Sequence, residues 1–206
     1  MVVLEKNIID EKVIEKALTY EKYYQLIKEL LHEGKTTGKE QIESRVKHAR
    51  LNFQRMKRVY RTTSISDELK NLIQKIDRKQ LWLVLSEGWC ADASQNLPAI
   101  ARIVEQNENI ELKILLRDEN PEVMDAYLTN GSKSIPKLIA LDEKTKSELF
   151  TWGPRPRAFQ NMVLEQKSNP KLTSEEFDEL LHREYTRDKT QKLQEEFKEL
   201  LQYSQN

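Results

Sequence analysis

Cysteine occurs once in these 206 residues, at position 90. One cysteine excludes an internal disulfide and any cysteine-cluster metal centre. The three histidines, His32, His48 and His182, are scattered without metal-site spacing, so neither a metal nor another cofactor is expected. Excess charge is missing as well: 34 basic residues face 34 acidic ones. No net field favours nucleic acid or a membrane surface. No apolar run approaches the roughly 18 residues of a membrane span. The beginning, MVVLEKNIIDEK, is too short and too acidic for a signal peptide. These absences lead to an expectation of a cytoplasmic protein, where a free thiol stays reduced. Glycine is scarce, at five residues, which argues for much helix and few loops.

What is present divides into helical flanks around an α/β core. Residues 1–78 read as helical. TYEKYYQLIKELLHEG carries apolar residues at Tyr20, Tyr23, Tyr24, Ile27, Leu30 and Leu31, with Thr19 as N-cap and Gly34 as stop. KTTG is a loop. A basic helix is predicted from about Lys39 to Arg61, and a third begins after the N-cap Ser66. From Gln80 the pattern changes. QLWLVLS reads as a buried strand, ADASQNLPAIARIVEQ as a helix and IELKILL as a second strand, which makes a parallel βαβ unit. NPEVMDAYLTNG is a helix with Pro121 at its start and Gly131 past its end. SIPKLIALDEKTKSELFTW folds as two antiparallel strands about Asp142–Thr145, and PRPRAFQNMVLEQK as a helix. After Asn169-Pro170, Thr173 and Glu176 form a capping box. One long charged helix then carries an apolar stripe from Phe177 to Leu201. The expected domains are 1–66 (helical), 67–168 (α/β) and 169–206 (a helical extension).

Cys90 falls where the first core strand meets the following helix. Ligands bind at the carboxyl ends of strands in open α/β sheets. A helix N-terminus favours a thiolate and can lower a cysteine pKa to about 7. A buried, inert cysteine is the competing expectation. In the basic helix, nucleic-acid binding lacks a matching motif. Its cations form a solvated face, pack near the acidic C-terminal helix, or rim the cysteine. His48 and His182 are expected to be exposed. WGPRP is a rigid turn, with Arg155 or Arg157 as candidates near the groove.

WCADA resembles the active-site loop of the thioredoxin superfamily, usually Trp-Cys-Gly-Pro-Cys. Pro98, eight residues after Cys90, Asn120-Pro121 and SIPKL agree with it. More closely, the chain resembles a bacterial thioredoxin-like family with a helical N-terminal region, KTTG, a single-cysteine Trp-Cys-x-Asp-Ala loop, LLRDEN, SIPKLI and WGPRP, over most of residues 18–165. The resemblance implies a thioredoxin-like βαβ–α–ββα core with N-terminal helices and a long C-terminal helix. It also implies a cis bond before Pro136, facing Cys90. Two departures stand out. Ala93 replaces the resolving cysteine, and Val84 replaces the buried aspartate that serves it. What remains is a monothiol oxidoreductase in which Cys90 is catalytic, attacking a protein disulfide or a low-molecular-weight thiol disulfide and being released by an external thiol. The alternative is a non-catalytic module that binds a protein partner. The groove in either case comprises Trp89, Ala91, Asp92, Ile135 and Pro136, with Ile135 pairing its backbone to an extended peptide. The terminal helices could bind a further protein partner.

Overall fold

The computed structural model describes residues 8–204. Helix α1 (Glu11–Lys16) is followed by the short strand β1 (Leu18–Thr19), then α2 (Tyr20–His32), α3 (Glu43–Thr62) and α4 (Asp67–Gln74). The core is β2 (Gln80–Ser86), α5 (Ala91–Val104), β3 (Ile110–Leu116), α6 (Pro121–Ala126), β4 (Lys137–Asp142), β5 (Glu148–Trp152) and α7 (Arg157–Ser168). Helices α8 (Ser174–Asp188) and α9 (Gln191–Ser204) complete it. The sheet order is β1-β3-β2-β4-β5. Strand β2 runs parallel to β3 and antiparallel to β4, so it lies in the middle. The expected βαβ–α–ββα order is therefore present. Strand β1, which is too short for a sequence signal, adds an antiparallel pair at the β3 edge.

The period-2 alternation of β2 feeds both faces of the sheet. Trp82 and Val84 enter one core with Tyr23, Ile27, Met56, Ile73, Leu97 and Phe197, so α2, α3, α4, α5 and α9 share that face. Leu81, Leu83 and Leu85 enter the other with Ile9, Ala17, Val123 and Met124. Helix starts follow the capping residues. Thr19 accepts from the Lys22 amide and Ser66 from the Leu69 amide, and Thr173 and Glu176 form the reciprocal box.

Three expectations need correction. The basic helix starts at Glu43, not near Lys39, because Thr36 and Gly38 are held in a loop by the Gln41 side chain. The C-terminal segment is not one long helix. It breaks at Lys189 and Thr190, which have φ of 51° and 68°. The helix after Pro121 also ends early, at Ala126.

Candidate functional site

The sharp passage from β2 into α5 places Glu87, Gly88, Trp89 and Cys90 at the carboxyl end of the central strand. Cys90 is itself the N-cap of α5: its sulfur accepts from the Ala93 amide at 3.4 Å. The thiol donates to the Ile135 carbonyl at 3.2 Å. The Ile135–Pro136 peptide is cis, and so is Gly153–Pro154. The second turn sits on the first: a Cβ on Gly153, whose φ is 121°, would lie 2.1 Å from the Pro136 carbonyl oxygen.

Cys90, Asp92, Ile135 and Pro136 are buried, while Trp89 and Ala91 are half-buried. Cys90 is 8% exposed. Burial, and then the neighbouring Asp92 carboxylate, push its thiol up to about 12. The Ala93 and Asp92 amides and Arg155 pull the other way and do not prevail. Desolvation thus opposes the thiolate that the helix N-terminus alone would favour.

Asp92 does not cap α5. Its carboxylate takes a two-point bond from Arg155, whose Nε donates to Oδ1 at 3.0 Å. The Tyr185 hydroxyl donates to the same Oδ1 at 2.9 Å, and Asn96 Nδ2 donates to the Tyr185 hydroxyl oxygen at 3.1 Å. His182 lies against α5, not in solvent as expected, with its Nδ1 3.0 Å from Gln95 Nε2. His48 is exposed. Of the two WGPRP arginines, Arg155 reaches the site, whereas Arg157 binds Glu196 and Glu199 at the surface.

Two guanidinium groups contact the ring of Trp89. Arg45 of α3 stands 4.4 Å from its ring centroid and Arg117 stands 4.7 Å away. Such cation–π contacts are attractive and restrain the indole. The KTTG loop closes the back of this turn. Thr37 Oγ1 accepts from the Gly88 amide at 2.7 Å, and Gly38 abuts Asp118 and Trp89 so closely that a Cβ would lie 2.5 Å from Asp118 Oδ2. Glu87 is buried; its Oε1 accepts from the Asp118 amide at 2.9 Å, while Oε2 has no partner among the described residues. Sequence reasoning did not single out Arg45, Arg117, Glu87 or Tyr185. Arg117 lies in the LLRDEN motif, and Arg45 in the basic helix for which a rim beside the cysteine was one expectation; Tyr185 had no signal. Among the described residues no cluster of three or more His, Cys, Asp or Glu could hold a metal ion.

A family model described as thioredoxin matches residues 38–182. The chain belongs to the thioredoxin family. Two solved structures resemble it. A protein of unknown function from Pseudomonas aeruginosa superimposes with a TM-score of 0.54 at 17% identity, covering 91% of this chain and 99% of that one. An HIV epitope scaffold gives 0.47 at 17% identity, over 91% and 95%. At that identity the first likeness concerns the fold alone. No curated protein matches the chain. Within this thioredoxin-family fold there is a single cysteine, Cys90, with an aromatic residue beside it. No helix among the described residues is long and apolar enough to cross a membrane.

Proposed function

We propose that the protein is a thioredoxin-fold module that binds a protein partner at the groove bounded by Trp89, Ala91 and the Ile135–Pro136 turn, with Cys90 as a packing residue and not a nucleophile. The observation that carries this reading is the state of the thiol. It is buried, it donates to Ile135, and its pKa stands at about 12. At neutral pH only on the order of one thiol in 10^4 to 10^5 would be ionised, and disulfide exchange requires the thiolate. Trp89, stiffened by Arg45 and Arg117 and still half-exposed, supports binding. Tryptophan and arginine are the side chains that dominate hot spots. An extended segment of the partner would lie along the turn at Ile135. In this reading residues 67–168 supply the groove and the two helical regions support it, in the reducing cytosol of a bacterium.

The test combines reactivity with binding. Iodoacetamide alkylation of Cys90, followed by mass spectrometry, should rise with pH without an inflection below about 10. Cys90→Ser should leave partner capture within twofold of wild type, and Ile135→Arg should abolish it. An inflection below pH 8, together with capture lost in Cys90→Ser, would establish monothiol exchange instead.

A further inference from the structure

Helix α8 covers the flank of the loop that holds Cys90, and the way it is attached is unusual. Only two of its residues, Leu181 and Tyr185, are buried. They form a small apolar cluster with Phe159 and Val163 of α7, separate from both main cores. Its remaining ties are single polar bonds to the core: Tyr185 to Asp92 and Asn96, His182 to Gln95, and Thr186 to Arg58 at 2.7 Å. Helix α9 is anchored quite differently. Leu193, Phe197 and Leu201 are at most 1% exposed in the main core.

Between the two helices stand only Lys189 and Thr190, both with positive φ. A β-branched residue in that region is a genuine outlier. The bend has local support from Asp188, whose carboxylate accepts from the Lys192 amide at 3.2 Å and so caps the start of α9. From Lys171 to Asn206 there is neither glycine nor proline. Apolar positions continue across the break at multiples of four: Phe177, Leu181, Tyr185, Leu193, Phe197, Leu201. The apolar spacing is therefore that of one continuous helix, and the bend is held by the docking bonds of α8 together with the Asp188 cap. Packing under the bend is incomplete. A cavity of about 50 Å³ lies there among Val59, Asn96, Phe159, Tyr185, Thr190 and Leu193.

We infer that α8 is a latch with two states: bent and docked beside Cys90, as seen here, and released, with residues 174–204 forming one straight helix hinged on Lys189–Thr190. Release frees Tyr185 from Asp92 and uncovers the Ala91–Asp92 side of the groove, where α8 now walls a space with α7. The inference rests on the partner-binding reading for its purpose, since an uncovered groove matters only if something binds there. The two states themselves do not depend on it.

The experiment measures the latch without a partner. In the full chain carrying Cys90→Ser, spin labels are placed at Lys57→Cys on α3 and Arg183→Cys on α8, both exposed positions, and their distance distribution is recorded. A short-distance population and a minor longer one are expected. Tyr185→Phe, which keeps the ring and removes both hydroxyl bonds, should enlarge the longer population about fivefold. Thr190→Gly, which relieves the left-handed strain of the bend, should shrink it about fivefold. One narrow short distance in all three proteins would overturn the latch. So would a longer population that tracks global unfolding, read from amide exchange in β2, and not the hinge. Failure of partner capture in Ile135→Arg and Cys90→Ser bears on the groove and leaves this measurement unaffected.

Discussion

At the scale of single residues, what a side chain does here is decided by burial more than by the motif around it. Cys90 has the helix N-terminus and the amide that a reactive thiolate would use, yet desolvation and Asp92 outweigh both. The sequence shows Trp-Cys-Ala-Asp-Ala and cannot show how dry that loop becomes. Dryness depends on α3 and on α8, which meet it from far along the chain. Glu87 makes the same point. Burial raises its pKa, opposed in part by Thr37 and the Asp118 amide. The folded form therefore holds the proton more tightly than the unfolded chain does. Its charged form costs stability, and the cost appears as pH rises above the ordinary glutamate range. Glu87→Gln should raise unfolding stability at pH 8 by about 1 kcal/mol or more. It should have little effect near pH 4. Urea melts at the two pH values check this, and equal effects at both would refute it.

Among the elements, the core strands and the helices α2, α4, α5 and α7 are legible from periodicity and caps, because their stability comes from patterns inside each segment. Strand β1 is not legible, since two residues carry no period. The break between α8 and α9 is not legible either, since the apolar spacing runs through it while α8 is held by Asp92, Gln95 and Asn96 of α5. Those three polar residues give no hydrophobic signal, yet they are buried because α8 docks on them. His182 makes this docking sensitive to acid. Its pKa is lowered to about 4, by burial first and then by Arg55 and Arg58, with Asp92 opposing. The docked ring resists protonation that the free chain accepts near 6.5. Stability should therefore fall as pH drops from about 6.5 to 4, by at most roughly 3 kcal/mol. His182→Gln should remove most of that slope. Urea midpoints followed across this range in both proteins give the comparison, and parallel slopes would contradict the assignment.

For the whole molecule, the largest single commitment is α9. Phe197 touches Trp82, Phe150 and Trp152, with ring centroids 5.6, 6.5 and 5.6 Å away, and so ties the C-terminal helix to β2 and β5. Phe197→Ala should cost about 3–5 kcal/mol in denaturant unfolding. A loss under 1 kcal/mol would mean that α9 is peripheral. Helix α9 also brings Glu196 to the indole N–H of Trp152, which screens the β5 side of the sheet. The opposite side is treated differently. Strand β1 pairs only with Lys113 and Ile114, so at the Ile110–Leu112 end the outer edge of β3, away from β2, has no strand neighbour among the described residues. Ile110, Leu112, Ile114 and Leu115 make this a β-prone hexamer whose outward positions are held by Glu111 and Lys113, 2.9 Å apart. Those two charges act as gatekeepers against amyloid-like stacking of copies. Colloidal behaviour at high concentration thus hangs on a pair that contributes little to folding.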